Sequence, residues 1–157
     1  HKKNSEIYSQ LQTFEDKGYI FGLSYAGLAG IRINNDHVCA PIIVDQEGNM
    51  NEHTIAYGRV MDDAIRQLRS VYLPKIKKTY PVDEEGKLLT RALVSLEQIG
   101  DDVFDEMQNA NELSLGKTTI DPDSDLLVKK ELLVSYKIVP MGTLGEITGT
   151  INIKNSL

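Results

Sequence analysis

Two stretches of the chain repeat their apolar side chains at helical spacing, which predicts two long amphipathic helices. The first runs from Thr54 to Leu73, and Pro74 ends or kinks it. Its apolar stripe consists of Val60, Met61, Ala64, Ile65, Leu68, Val71 and Tyr72. The second begins with Thr90 as its cap, and its stripe consists of Leu93, Leu96, Ile99, Val103 and Met107. A shorter helix is predicted from Ser5 to Lys17, with Gly18 as a left-handed stop.

The remaining apolar positions mostly alternate with polar ones, which is the period of a β-strand. Strands are predicted over Tyr19–Tyr25, Ile31–Ile33, Leu113–Ile120, Leu132–Ile138 and Ile147–Ile153. Pro41 interrupts Val38–Val44 and predicts an edge strand or an extended loop there. Helices and strands do not alternate regularly, so we predict an α+β fold. Its mixed β-sheet is packed with two long helices and one short N-terminal helix, and it ends in a C-terminal strand.

The length and the absence of a linker predict a single domain over residues 1–157, in which 146–157 form a terminal strand or arm. No internal repeat is evident. The net charge of -6 argues against nucleic acid as a partner. The longest uncharged run, Gly18–Ile31, has 14 residues, whereas a membrane-spanning helix needs about 20. We therefore expect a protein without nucleic-acid or membrane partners.

Three short motifs suggest chemistry, and each lacks a part that the chemistry needs. Gly116-Lys117-Thr118 resembles the end of a phosphate-binding loop, but Asn111 stands where the first glycine belongs. The alternating acids Asp121, Asp123 and Asp125 open like a calcium loop, which then lacks its glycine and its final glutamate. Cys39 lies in an apolar run, where a buried cysteine acting as a small hydrophobe is the common case. We expect no catalytic residue, metal or cofactor. The alternative is a small soluble enzyme using Cys39 or a nucleotide-binding loop at Gly116–Thr118.

Charge is distributed unevenly between the two long helices. Residues 59–78 carry six basic and two acidic side chains, whereas residues 101–112 carry five acidic side chains and no basic one. Both can be ordinary solvated faces. The alternative is a pair of charged assembly faces, in which one subunit meets another through complementary charges. The residues of these hypothetical faces are Arg66, Arg69, Asp101, Asp102 and Asp105.

The order of several short signatures resembles the C-terminal part of tail sheath proteins of contractile phages and related injection systems. The stretches that carry it are Lys17-Gly18-Tyr19-Ile20-Phe21, Tyr25 through Gly30, Asn35-Asp36, Arg59-Val60-Met61-Asp62-Asp63-Ala64, Leu73-Pro74, Ile120-Asp121-Pro122 and Val139-Pro140-Met141-Gly142-Thr143. The resemblance implies a structural subunit without enzymatic activity, which assembles with copies of itself into stacked rings around a tail tube protein. It also implies a location in a virion tail, or in the bacterial cytoplasm as a prophage or injection-system particle. Because the N-terminal portion of such subunits is lacking, we expect a fragment of a longer subunit.

The last predicted strand is the best candidate for a contact between subunits. Its apolar and polar residues alternate from Glu146 to Lys154, which predicts one apolar face and one polar face. Such a strand can complete the sheet of a neighbour or fold back onto its own sheet, and the pattern favours neither. The hypothetical subunit interface consists of Ile147, Thr148, Gly149, Thr150, Ile151, Asn152 and Ile153.

We predict that the chain binds neither calcium nor ATP, because both motifs lack essential positions. Calorimetric titration of the protein with each ligand tests this directly. A dissociation constant below the micromolar range for either ligand would contradict the structural interpretation.

Overall fold

A computed structural model describes residues 6–143 and residue 149. The chain groups into two compact units, His1–Ser70 and Val71–Leu157, and each is described by itself below. In the part of the chain that the structure describes, three helices and two small antiparallel sheets confirm the α+β class. Where one mixed sheet was expected, the described residues contain two separate two-stranded sheets. The assignment of the whole chain to one domain stays a prediction.

The first unit begins with a short helix and a very small sheet. A 3-10 turn over Tyr8–Gln10 leads into α1, Leu11–Asp16. Gly18 follows at a φ of 78°, so it is the predicted left-handed stop. The strands β1, Gly22–Leu23, and β2, Arg32–Ile33, pair antiparallel.

The first sheet is shorter than the predicted strand Tyr19–Tyr25 because a side chain replaces part of the ladder. The Asn34 side-chain oxygen accepts from the Phe21 amide at 2.8 Å, and its Nδ2 donates to the Tyr19 carbonyl at 3.2 Å. An asparagine that satisfies backbone groups in this way competes with strand pairing. The sheet therefore extends over two residues per strand.

The segment that contains Pro41 forms an extended loop, one of the two predicted alternatives. Proline has no amide to donate, and the Asn51 side chain binds the Pro41 carbonyl at 2.9 Å and the Ile43 amide at 2.9 Å. Residues 39–50 are exposed throughout. The expectation that Cys39 is buried is therefore wrong, because its thiol lies in this exposed loop.

The first long helix matches its prediction closely. It forms α2, Ile55–Tyr72, and a 3-10 turn over Leu73–Lys75 follows at Pro74. Its first amides find partners outside the helix, because Thr54 Oγ1 accepts from Tyr57 N at 3.1 Å and Asp36 Oδ2 accepts from Ala56 N at 3.0 Å. The buried stripe is narrower than predicted, since Ala64 and Leu68 are buried and Ile65 is exposed.

The second unit packs one long helix against one ribbon of two strands. The helix is α3, Thr90–Asn109, and the strands are β3, Leu113–Ile120, and β4, Val134–Pro140. The predicted cap at Thr90 is wrong, because Leu89 occupies the N-cap position and no side chain caps the helix there. The strands pair antiparallel, with Ile120 opposite Val134 and Leu113 opposite Pro140. None of the helices in the described residues is long and apolar enough to cross a membrane.

Two glycines let α3 approach the ribbon closely. A Cβ at Gly116 of β3 would overlap the Phe104 ring, and a Cβ at Gly100 of α3 would overlap the Thr118 side chain and the Tyr72 hydroxyl. Phe104 is fully buried and makes an edge contact with Tyr136 of β4. A further core cluster of the second unit consists of Leu88, Leu96 and Ile120. Sequence periodicity identified Leu96, Val103 and Met107, whereas it missed Phe104 and both glycines.

We predict opposite effects for the same substitution in the two long helices. Gly100→Ala should lower the free energy of unfolding by about 1–3 kcal/mol, because the added methyl group overpacks the contact with β3. Gly58→Ala in α2 is the control, since nothing lies within 4 Å of the added methyl group. The control should be neutral or stabilising by up to about 1 kcal/mol, because alanine favours the helix. Urea unfolding measures both, and equal effects would contradict the packing described here.

Candidate functional site

The β3–β4 ribbon has one covered face and one exposed face. The covered face presents Leu113, Thr118 and Ile120, all buried, to the rest of the second unit. The exposed face consists of three cross-strand pairs, Leu115 with Val139, Lys117 with Lys137, and Thr119 with Ser135. Leu115 is 63% exposed and Val139 is 51% exposed. A bulge at Ser114 shifts the register beside the apolar pair, and the Ser114 hydroxyl donates to the Pro140 carbonyl at 3.0 Å.

Two carboxylates of α3 close the outer edge of β3. Glu97 Oε1 accepts from the Ile120 amide at 2.9 Å, and Asp101 Oδ1 accepts from the Thr118 amide at 2.8 Å. The two spacings match, since four residues of helix rise about 6 Å and two residues of strand rise about 7 Å. Backbone amides that another strand would use are therefore already bonded within the unit.

Asp101 also holds the Lys117 side chain, which reaches over the edge of β3. Its second oxygen, Oδ2, accepts from Lys117 Nζ, and the carboxylate is largely shielded from solvent. Burial alone would raise the pKa of Asp101, but the hydrogen bonds from Lys117 and the Thr118 amide lower it below its ordinary value of 3.8. The same hydrogen bond and the negative charge of Asp101 raise the pKa of Lys117. Both groups therefore stay charged over a wide pH range.

The outer edge of β4 is arranged differently. Thr118 lies opposite Tyr136. The Thr118 amide points away from β4, so the two residues form a pair without mutual backbone hydrogen bonds. The same geometry directs the backbone groups of Val134, Tyr136 and Ile138 away from β3. No strand within residues 6–143 pairs with this edge. The ribbon is therefore closed on one side and open on the other, which is the geometry that accepts an added strand.

The sequence model of the DUF2586 C-terminal domain matches residues 53–157. The chain belongs to this family. The match begins just before α2 and includes α3 and the ribbon, whereas most of the first unit precedes it. Comparisons with curated proteins and with solved structures found no match.

The hypothetical interface strand of this DUF2586 C-terminal domain lies almost wholly outside the described residues. Gly149 is the described member, and it is exposed with open space around its Cα atom. The other members are Ile147, Thr148, Thr150, Ile151, Asn152 and Ile153. Their role stays a prediction.

The residues of the hypothetical charged faces of the DUF2586 C-terminal domain differ in whether their charged groups bind other groups of the protein. Arg66 pairs with Asp63 on its own helix at 3.0 Å, while Arg69 is exposed. Asp101 is committed to β3, as described above. Asp102 and Asp105 are exposed and accept from the side chains of Gln98 and Gln108, respectively. Asp102, Asp105 and Arg69 are thus the members whose charges face solvent.

The nucleotide-loop motif of the enzymatic alternative and the separate calcium-like motif occupy ordinary structural positions in the DUF2586 C-terminal domain. Gly116–Thr118 lies in the middle of β3, where Gly116 faces Phe104 and Lys117 binds Asp101. Asp121 and Asp125 each accept backbone amides within the following turn, from Asp123 and Val128. These contacts give the residues structural roles. The enzymatic hypothesis itself stays a prediction.

Sequence reasoning missed the edge-closing role of Glu97 and Asp101. The signal that was available is their spacing, because acids four residues apart that flank an apolar stripe lie on one side of the helix. The stripe here includes Leu96 and Gly100, directly beside the two acids. Asp101 was instead assigned to an outer charged face.

We predict that Asp101→Ala destabilises the fold by about 1–3 kcal/mol at neutral pH, since it leaves the Thr118 amide without its partner. Asp102→Ala is the matched control and should change the free energy of unfolding by less than about 0.5 kcal/mol. The lowered pKa of Asp101 adds stability that is complete above the ordinary carboxyl value of 3.8 and is lost as the pH falls through its folded value. The difference between wild type and Asp101→Ala should therefore shrink on acidification. A constant difference from pH 7 to pH 2 in urea unfolding would contradict this role.

Proposed function

We propose that this chain is the C-terminal part of a structural subunit of a contractile tail sheath, which assembles with copies of itself into stacked rings around a tail tube protein. The observation that carries the proposal is the ribbon, which is closed at β3 and open at β4. The exposed apolar pair Leu115 and Val139 lies on the same ribbon. The sequence resemblance to sheath proteins supports the same function.

The open edge has a suitable occupant in the predicted terminal strand of a neighbouring subunit. The residues from Glu146 onward alternate between polar and apolar, as a strand added to a half-covered sheet requires. In a polymer, each subunit would accept a strand from one neighbour and donate its own to another. The subunit acts by assembly and carries no catalytic role.

The free energies of strand exchange and of association explain why this contact suits a polymer. Four to eight backbone hydrogen bonds contribute about 1 kcal/mol each, whereas association costs about 4–15 kcal/mol. One exchanged strand is marginal by itself. Several contacts per subunit in a ring raise the effective concentration and make assembly cooperative. A flexible link before the strand would also let neighbours rotate during contraction without separating.

The proposal places the protein in a virion tail, or in the bacterial cytoplasm within a prophage or injection-system particle. In either setting its partners are further copies of itself and the tube protein. Nucleic acid and membranes are not partners in this proposal.

We predict that deletion of Glu146–Leu157 from the full-length subunit that the gene encodes abolishes ring and tube formation, while the monomer stays folded. Thr150→Pro should weaken assembly without abolishing it, because proline removes one amide donor and keeps the rest of the strand. Thr150→Val is its control, since valine keeps the amide and favours strands. Electron microscopy and thermal unfolding by circular dichroism are measured on the same samples.

Two outcomes would contradict this mechanism. A truncated subunit that still forms tubes would exclude the terminal strand from assembly. A truncated subunit that aggregates or loses cooperative unfolding would show that the strand folds back onto its own sheet and covers its apolar surface there.

A further inference from the structure

The chain contains the same hairpin twice, although no repeat was predicted from the sequence. The two hairpins are Val44–Met50, with the sequence VDQEGNM, and Val82–Leu88, with the sequence VDEEGKL. In each, the first and last residues form an antiparallel bridge. In each, the aspartate accepts the amides two and four residues later, and the glycine has a φ near 80°. We call them the first hairpin and the second hairpin.

The two hairpins differ in what covers their apolar residues. In the second hairpin Leu88 is 5% exposed and belongs to the core of the second unit. Lys87 in its turn pairs with Asp123 at 2.7 Å and with Glu85 at 3.3 Å. In the first hairpin Val44 is 61% exposed and Met50 is 45% exposed. The last apolar residue of the turn is therefore buried in the core of the second unit, whereas the apolar residues of the same turn in the first unit are exposed to solvent.

Further apolar and acidic side chains surround the uncovered turn. Ile42 and Ile43 precede it and are both exposed. Asn51 continues the hairpin, because its amide donates to the Ile43 carbonyl at 3.2 Å. Asp45 stays charged, since hydrogen bonds from Asn49 lower its pKa, and Glu47 at the tip is exposed. The first hairpin thus presents an apolar base and an acidic tip to solvent.

The second unit contains a cleft of the opposite character, with a volume of about 740 Å³. Of the described residues, four lysines and a single acid, Glu131, are the charged ones that line it. The lysines are Lys75, Lys77, Lys78 and Lys130, and none of them forms an ion pair with a described residue. We call this surface the lysine cleft. A cationic cluster without ion pairs is unexpected in a chain with a net charge of -6.

The lysine cleft also offers apolar surface. Leu96 and Val134 belong to the core beneath it, while Ile76 and Leu127 line it and are exposed. Tyr72 also lines it, and its hydroxyl is already used, because it donates to the Leu96 carbonyl at 2.7 Å. Burial raises the pKa of the Tyr72 hydroxyl, and the neighbouring Tyr136 and Asp101 raise it further. The side chain therefore stays neutral. An occupant must therefore supply apolar side chains and negative charge together.

We propose that the lysine cleft of one subunit binds the first hairpin of a second copy of this chain. Ile42, Ile43 and Val44 supply the apolar contact, and Asp45 and Glu47 supply charge opposite in sign to the lysines. The two surfaces are different, so the contact is heterologous, and such contacts generate rings or helical filaments. This inference rests on the proposed function, and it adds a second contact to the exchanged strand.

Charge-reversal variants of the 157-residue chain test the proposal by sedimentation velocity over a concentration series at low salt. Glu47→Lys alters the tip of the first hairpin, and Lys78→Glu alters the lysine cleft. Each should weaken self-association by about tenfold, because like charges then face each other. Glu85→Lys is the matched control, since Glu85 holds the position of Glu47 in the second hairpin, and it should associate as wild type does. Circular dichroism verifies that each variant is folded.

Mixing the two defective variants gives the decisive measurement. The intact hairpin of Lys78→Glu can bind the intact cleft of Glu47→Lys, and the two altered surfaces are also complementary. The mixture should therefore associate about as strongly as wild type. High salt should weaken wild type and the mixture alike, since it screens both sets of charges.

Three outcomes would overturn this inference. They are a wild-type chain that stays monomeric up to about 1 mM, a Glu47→Lys variant that associates normally, and a mixture that remains dissociated. The first outcome would also count against strand exchange by the 157-residue chain, whereas the second and third leave the exchanged strand untouched. The exchanged strand is measured separately, by particle formation of the longer subunit with and without Glu146–Leu157. The two proposals can therefore fail separately.

Discussion

A two-stranded ribbon is too small to be stable in water by itself, so the second unit depends on how α3 supports β3. The helix covers one face of the ribbon through Phe104 and closes one edge through Glu97 and Asp101. The backbone amides of β3 thus find partners on a helix, where a larger sheet would provide a third strand. This substitution lets a small unit keep a stable sheet with a single open edge.

Much of this architecture follows from periodicity in the sequence. The bounds of α2 and β3 agree with the predicted segments, and β4 lies two residues further along the chain than its predicted segment Leu132–Ile138. Long stripes of apolar residues and strict alternation are each typical of one kind of secondary structure. The first unit was harder to predict. Its strands are limited by the side chain of Asn34, and periodicity does not record such side-chain hydrogen bonds to the backbone.

The candidate site was only partly predictable, for a related reason. An acid on a helix looks the same in a sequence whether it faces solvent or accepts an amide from a neighbouring strand, and Asp101 was therefore assigned to an outer face. The paired hairpins were missed because their repeat is seven residues long and includes two positions that differ in charge or polarity. Both features depend on contacts between distant residues, which local patterns cannot report.

The exposed face of the ribbon also limits how two subunits can approach each other. Lys117 and Lys137 lie directly opposite each other in the middle of that face. Lys117 is drawn over the edge of β3 by Asp101, so Lys137 is the lysine whose ammonium group stays on that face. If two identical ribbons stacked face to face, the two Lys137 ammonium groups would converge beside the apolar pair Leu115 and Val139, and their repulsion would oppose the burial of that pair. The lysines thus act against a sandwich of two ribbons. Pairing of strands edge to edge avoids this repulsion, because it does not bring the apolar pair of one subunit against the apolar pair of another.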